Sequence, residues 1–366
     1  MTTQPMLLES ITPNRRIAVI APSLEILGGQ GVQAAALIAA LQGDGFDVSF
    51  VPVNPRFPRP LRWLRAIPYV RTLFNQLLYR WQLRKIRNVD VVHLFSASYW
   101  SFILSQVPAI KAAKRYEKPV ILNYHSGEAD DHLRYWGSRV HPWLRKVDKI
   151  VVPSVYLHDV FASYGYSTQI IPNMISVTQF RYRPRVPLQP KLLSVRNLES
   201  IYRIENTLLA FAAIKKKVPS ATLTIAGYGS LESTLRSQVN ALGLTGVTFV
   251  GRVEPADIAT LYDQADIFIN SSVVDNQPVS ILEAFAAGLP VVSTPTGDIA
   301  FMIRDEETGM LVPPGKPDAI AEAVFWLLEN QAKAARMADA ARDEVEKYTW
   351  RNVQSDWRQL FRGENA

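Results

Sequence analysis

The feature that most constrains this chain is an alternation repeated along its length. Short, continuous apolar runs are separated by longer stretches with helical apolar spacing. The runs of the first half are RRIAVIAPS (15–23), DVSFVPV (47–53), VDVVHLF (89–95), PVILNYH (119–125), KIVVPS (149–154) and TQIIPN (168–173). A strand that is apolar along its length has no polar face to give to water. It must be covered on both sides, as in a parallel sheet with helices on both faces. LGGQG (27–31) is a turn after the first run, and VQAAALIAALQGDG (32–45) is a helix ended by glycine.

RYRPRVPLQP (181–190) is proline-rich, lacks an apolar period and is read as a linker. The alternation then restarts with KLLSVR (191–196), ATLTIAG (221–227), VTFVG (247–251), DIFINS (266–271) and PVVSTP (290–295), with helices between them. Helices near 316–329 and 331–347 follow, then the amphipathic WRNVQSDWRQLF (350–361). A length of 366 residues exceeds what one core usually holds. The expected fold class is α/β, two doubly wound Rossmann-like domains facing each other across a cleft. Residues 1–180 form the first domain, 181–190 the linker and 191–348 the second domain. Residues 349–366 are a helix expected to cross back to the first. Ligands of such sheets bind beyond the carboxyl ends of the strands, so the turn at 28–31 and the loop at 275–283 belong to the cleft.

Apolar content of 48% and charged content of 20% suit a globular protein. The absence of cysteine excludes disulfides, a thiol nucleophile and thiolate metal sites, and fits a reducing compartment. No signal-peptide core and no apolar run of membrane-spanning length is evident, so a cytoplasmic location is expected. The net charge of +7 is local. Between Asp47 and Asp90 there is no acidic residue but nine basic ones, leaving −2 for the rest. FPRPLRWLRAIPYVRTLFNQLLYRWQLRKIR (57–87) mixes this charge with aromatics. Leu73, Leu77 and Trp81 recur every four residues near Arg80, Arg84 and Arg87, and Arg62, Trp63 and Arg65 precede them. A basic helix with aromatics suits an anionic membrane surface or an acceptor. A plain helix with a solvated basic face, or a nucleic-acid contact, are the alternatives. No nucleic-acid motif accompanies the charge.

Gly28, Gly29 and Gly31 sit between the first strand and the first helix. They let backbone approach a ligand, and the helix N-terminus attracts an anion. The spacing is not G-x-G-x-x-G, which weakens a dinucleotide dehydrogenase. In DNQPVSILEAFAAGLPVVS (275–293), Asp275 and Glu283 flank a helix start. Ser280-Ile-Leu-Glu283 matches a capping box, which would explain Glu283 without a ligand. It leaves Asp275, Asn276 and Gln277 unexplained, three polar groups suited to hydroxyls. His125 ends a strand at the cleft edge, or is simply a surface histidine there. His93 faces either cleft or core. Glu128, Asp130 and Asp131 are read as a solvated loop rather than a metal site.

The second half resembles the retaining glycosyltransferases of family 4, which have the GT-B fold. LTIAGYGSLESTLRSQVNALGLTGVTFVGRV, ADIFINSSVVDNQPVSILEAFAAGLPVVSTPTG and TGMLVPPG follow that family's order. The likeness is strong over roughly 150–315 and weaker over 15–50 and 89–125. It implies a motif of two carboxylates with seven residues between them, which Asp275 and Glu283 match, with aspartate where glutamate is usual. By resemblance, Glu283 accepts hydrogen bonds from a ribose and Asp275 lies near the donor sugar. The same likeness puts Asn276, Gln277, Pro278, Val279 and Ser280 in the donor pocket, with backbone N–H groups within 277–280 holding sugar hydroxyls. Backbone at Arg252 and Val253 would meet the base, Gly227 belongs to the donor pocket, and Gly28 and Gly29 face the diphosphate. His125 resembles the histidine near the donor sugar and acceptor. The family's cation pair is disturbed: its arginine place falls on Asn197 and its lysine place on Tyr202. Arg196 and Arg203 flank those places by one residue each, so a one-residue shift would restore both charges.

These readings imply a retaining enzyme that moves a sugar from a nucleotide sugar to a hydroxyl of a saccharide acceptor. No protein nucleophile and no metal or other cofactor are expected, and nucleic acid is not an expected partner. The acceptor is expected to be a lipid-linked saccharide of an envelope or extracellular polysaccharide, met at the inner face of the membrane. A non-catalytic GT-B binding protein and a sugar-nucleotide epimerase on the same fold are the rival readings.

Overall fold

The computed structural model describes residues 15–23 and 29–362, apart from the side chains of Arg65 and Pro68. The apolar runs become two six-stranded sheets. The first contains β1 (Arg16–Ala21), β2 (Asp47–Pro52), β3 (Val91–Ser96), β4 (Val120–Tyr124), β5 (Lys149–Val152) and β6 (Gln169–Ile170). The second contains β7 (Lys191–Val195), β8 (Thr222–Ala226), β9 (Val247–Gly251), β10 (Ile267–Asn270), β11 (Val291–Ser293) and β12 (Met310–Leu311). All named pairings are parallel. The strand orders are β2-β1-β3-β4-β5-β6 and β12-β11-β10-β7-β8-β9. Each order reverses once, between β1 and β3 and between β7 and β10. Connections on either side of such a point leave in opposite directions and open a crevice at the carboxyl ends.

Both faces of each sheet are buried, which is why the strands are apolar throughout. Along β1, Ile17 and Val19 pack on one side with Leu37 of helix Gly29–Gly43, while Ala18 and Ile20 pack on the other with Tyr79 and Phe102. In the second domain Leu192 and Leu193 divide in the same way between the Phe211 and Phe285 sides. Helix Trp350–Arg362 does not pack on the second sheet that precedes it. Its Val353, Trp357, Leu360 and Phe361 lie in the first domain's core beside Leu37 and Val91. Arg358 holds Asp44 with two hydrogen bonds of 2.8 Å.

The passage between cores differs in place from the proline-rich stretch. Met174 packs in the first core and Ile175 in the second. The Ile175 N–H donates to the Tyr348 carbonyl at 2.9 Å, so the outgoing and returning chains cross side by side. Residues 181–190 are instead docked on the second domain. Buried Arg185 donates to the carbonyls of Tyr262, Ala265 and Ala287, and Arg183 pairs with Asp266 at 2.6 Å. Prolines exclude helix and strand here, and the arginines replace the missing backbone partners.

The C-terminal helix therefore contributes to the stability of a domain built mainly from the other end of the chain. Trp357→Ala should destabilise the protein by about 3–5 kcal/mol in urea unfolding followed on the first domain. Trp81→Ala, on a side chain 62% exposed, should shift stability by no more than about 0.5 kcal/mol in the same measurement.

Candidate active site

The two crevices face one another and enclose a cavity of about 530 Å³. Gly29 after β1 and Ala97 and Ser98 after β3 line it from one side, with Arg196 and Asn197 after β7 and residues 274–280 after β10 on the other. His125, Tyr202, Gly227, Arg252, Val253 and Glu283, also expected from the sequence, line it as well. Gly28 lies outside the described residues.

Asp275 and Arg196 form an ion pair at the centre. Arg196 Nη2 lies 2.5 Å from Asp275 Oδ2, with each side chain 10% exposed. Arg196 Nε donates to Asn270 Oδ1 at 3.0 Å, and the guanidinium lies 5.2 Å from the centre of the Tyr202 ring. The arginine is thus held on three sides. Gly227 makes this packing possible: it adopts φ +141°, and a Cβ there would clash with the Arg196 carbonyl.

Glu283 owes its position to Tyr262 rather than to a capping box. The helix begins at Val279 with Pro278 as its cap, so Ser280 already lies inside it. The Ser280 hydroxyl has no partner, and the reciprocal pair does not form. The Tyr262 hydroxyl donates to Glu283 Oε2 at 2.7 Å. Burial raises the Glu283 pKa, while Tyr262 and Arg196 oppose that rise. A half-buried carboxylate with one oxygen tied is a ready acceptor for hydroxyl donors.

Asn276 and Gln277 are corrected more sharply. Their side chains do not wait for hydroxyls. Asn276 Oδ1 accepts from Ser154 of the first domain at 2.5 Å. Gln277 Oε1 accepts from the Asn173 N–H at 2.6 Å, and its Nε2 donates to Asp298 at 3.1 Å. Both amides hold the loop against its surroundings. Gly127 completes the seat, because a Cβ there would fall 2.7 Å from the Asp275 carbonyl.

Arg203 is a second correction. It is not among the lining residues. The turn Ser200–Tyr202 ends in a left-handed Arg203 (φ 48°), which caps the following helix and pairs with Glu205 at 3.1 Å. The structure brings Arg196, Asn197 and Tyr202 into the cavity and leaves Arg203 outside. The arginines on the lining are Arg196 and Arg252, the latter 3.3 Å from Glu254.

His125 stacks on Phe95 with centroids 5.1 Å apart, and its Nε2 has no partner. Burial pushes its pKa down to about 3, so the imidazole is neutral at ordinary pH. His93 is a core residue, packed against Phe95, Trp357 and Phe361. Its pKa is also pushed down to about 3, by burial and then by His125. None of Arg62, Trp63, Arg80, Trp81, Arg84 and Arg87 lines the cavity; they are exposed on the segment 59–88, and the Arg65 side chain lies outside the described residues. Sequence reading missed Gln30, Ser126, Gly127, Asn173 and Tyr228, and took Glu128 for solvated loop although it lines the cavity. Polar loop residues carry no periodic signal, and only the juxtaposition of the two domains singles these out.

The family comparison agrees with this architecture. The Glycosyltransferase Family 4 model matches residues 27–179 and the Glycosyl transferases group 1 model matches 179–344. Together they span most of the chain, which belongs to this glycosyltransferase family and has its GT-B fold. It is 28% identical to a glycogen synthase of Mycobacterium tuberculosis over 74% of this chain and 68% of that one. It is 26% identical to a phosphatidyl-myo-inositol mannosyltransferase of Mycobacterium leprae over 94% and 96% of the two chains. The crystal structure of Anabaena Alr3699/HepE in complex with UDP and glucose shares the fold, with a TM-score of 0.73 and 18% identity over 95% of this chain and 99% of that one. The protein is a glycosyltransferase.

The buried histidines tie stability to pH. His132 is also depressed, to about 4, by burial and then by His141. Unfolded histidines protonate near about 6.5, so below that pH the unfolded chain binds more protons than the native one. The stability these three contribute is full above pH 6.5 and is lost as pH falls toward 4 and 3. NMR of the folded protein should show His93 and His125 neutral down to about pH 4, while urea midpoints fall between pH 7 and 4.5. Titration of either ring near pH 6.5 would contradict this.

Proposed function

We propose that this glycosyltransferase moves a sugar from a nucleotide sugar to a hydroxyl of a lipid-linked saccharide, with retention at the anomeric carbon. The observation that carries this reading is the assembly of Glu283, Asp275 and Arg196 in one cavity at two facing switch points. Glu283 receives the ribose hydroxyls, and backbone at Arg252 and Val253 meets the base. Asp275 and His125 border the donor sugar, with the free N–H groups at the start of helix Val279–Ala287 beside them. Arg196 and the N-terminus of helix Gly29–Gly43 carry the diphosphate charge, so no metal is required. The bond from the anomeric carbon to the diphosphate oxygen breaks as the acceptor oxygen attacks from the same face. The acceptor proton passes to the departing phosphate oxygen. The protein supplies positioning and charge stabilisation, which can account for a large share of the barrier.

A thermal-shift screen of UDP-, GDP- and ADP-sugars identifies the donor, since a ligand stabilises the state that binds it. Glu283→Gln should weaken the selected nucleotide at least tenfold in calorimetric titration. Arg196→Met should lower turnover at least tenfold, and Arg203→Met should leave it unchanged. Equal losses from the two arginine variants would remove the role assigned to Arg196.

The acceptor is proposed to be met at the inner face of a membrane, with the protein bound peripherally in the cytoplasm. Helix Pro68–Gln82 turns Tyr69, Leu73, Leu77 and Trp81 outward, 58–90% exposed at four-residue spacing, so they form one line. Arg80, Arg84 and Arg87 are exposed beside that line. Aromatic and aliphatic rows edged with arginine fit the headgroup region of an anionic bilayer. Among the described residues no helix is long and apolar enough to cross a membrane. The related mannosyltransferase, by its name, acts on a phosphatidylinositol lipid. Wild-type protein should co-sediment with vesicles containing phosphatidylglycerol at low salt and be released as salt is raised. Changing Arg80, Arg84 and Arg87 to Gln should abolish co-sedimentation while donor hydrolysis persists. Binding to neutral vesicles alone would overturn the electrostatic docking.

A further inference from the structure

A second, much smaller cavity lies behind the first, inside the first domain. It has a volume of about 10 Å³, the space of one water molecule. Gln33, Asn123, His125, Asn173 and Trp357 are the side chains with polar atoms that line it. His125 also lines the large cavity and so stands between the two. Gln33 is tied to both backbone groups of Met174, and Asn173 to Gln277. Among the described residues that leaves three lining side chains with a buried polar atom lacking a partner: Asn123 Oδ1, His125 Nε2 and Trp357 Nε1. Folded proteins leave few such atoms unsatisfied, so three around one small cavity call for a shared partner.

The three atoms complement one another through a water. An indole N–H only donates, an amide oxygen only accepts, and each nitrogen of a neutral imidazole does one or the other according to the tautomer. Asn123 Nδ2 lies 3.5 Å from His93 Nε2, which leaves the amide oxygen as the atom for the cavity. A water that accepts from Trp357 has two hydrogens to place. Asn123 Oδ1 takes one. The other finds an acceptor only where His125 Nε2 carries no proton. The Nε2–H tautomer would leave one water hydrogen buried without a free acceptor among the lining side chains. The Trp357 bond also polarises the water and makes it a better donor to the ring. With Nε2 on the small cavity, Nδ1 is the ring nitrogen on the side of the large one.

We propose that one water held by Trp357, Asn123 and His125 fixes the His125 ring as its Nδ1–H tautomer, so that the ring presents an N–H and no lone pair to the sugar of the nucleotide sugar. This rests on the reading that sets His125 beside that sugar, and deepens it. His125 then holds a sugar oxygen and takes no proton from the acceptor. Trp357 and Asn123 are positioning residues that act through the water. Trp357 comes from the last helix, packed in the first domain's core and edge-on to His93 at 5.4 Å. The helix that returns from the second domain would thereby set which nitrogen of a cleft residue carries the proton.

The test is NMR of the full chain labelled with nitrogen-15 in histidine and tryptophan. The ring-nitrogen shifts of wild-type His125 should show Nδ1 protonated and Nε2 bare. The Trp357 indole N–H should show a cross-peak to water with the sign of a long-lived bound molecule. Trp357→Phe keeps an aromatic ring and removes the N–H. It should lower the Nδ1–H population to below half. It should also slow hydrolysis of the nucleotide sugar selected by thermal shift at least threefold, with its Kd unchanged within twofold. Asn123→Leu should move the tautomer in the same direction. Leu360→Ala, on the same helix but not on the small cavity, removes packing alone and should leave tautomer and rate as in the wild type. A wild-type ring protonated on Nε2, no bound-water signal at Trp357, an unchanged tautomer or rate in Trp357→Phe, or an equal change in Leu360→Ala would each overturn the proposal. If no nucleotide sugar binds, the donor reading fails separately, because the water and the tautomer are read without a ligand.

Discussion

The arrangement depends on how one loop is held. Residues 275–278 leave the second sheet at its switch point and are gripped from the first domain. Ser154 takes the Asn276 amide, Asn173 takes both the side chain and the carbonyl of Gln277, and Gly127 lies against the Asp275 backbone. Each side-chain bond is buried, so a lost partner would leave an unsatisfied polar group and cost on the order of 1–3 kcal/mol. The cleft is therefore a specified geometry. Asp275 meets Arg196, and Glu283 faces the same space, because this loop cannot sit elsewhere without breaking several such bonds.

The charges follow a similar logic. One arginine reaches the cavity centre, and it arrives already paired with Asp275, hydrogen-bonded to Asn270 and laid over Tyr202. A guanidinium so fixed loses little side-chain entropy when a ligand arrives, and its remaining donors are preorganised. Arg203, close in sequence, stands at the head of the next helix with left-handed backbone, and its side chain pairs with Glu205. The proposed anionic donor is therefore met on the arginine side of the cavity.

The outer surface of the first domain carries a different chemistry. The buried side of helix Pro68–Gln82 is anchored by Tyr79, whose hydroxyl donates to the Ser105 carbonyl at 2.8 Å. Ser105 belongs to a π-helical turn at Phe102–Gln106. The exposed apolar line and the π-helical turn are therefore built on adjoining elements of one domain.

Much of this was legible in the sequence for a physical reason. Strands covered on both faces must be apolar throughout, so the β-α alternation reports the two parallel sheets directly, and the carboxyl ends of those strands locate the cleft. The family motif places Asp275 and Glu283, and those residues do line the cavity. Among the described strands, only β12, two residues long, escaped the pattern. What needed tertiary structure were choices between partners at the same sequence distance. Ser280 could cap the helix together with Glu283, yet the cap falls two residues earlier, at Pro278, and Tyr262 takes the carboxylate. Arg196 and Arg203 both flank the expected cation places, and a left-handed turn turns one of them out. Asn276 and Gln277 have the chemistry for hydroxyls, but the other domain lies within reach and claims them. Glu128 looks like solvated loop until the second domain closes over it. Periodicity records which residues must leave water, while a polar residue's role is set by what the fold brings to within about 3 Å of it, and that contact is long-range.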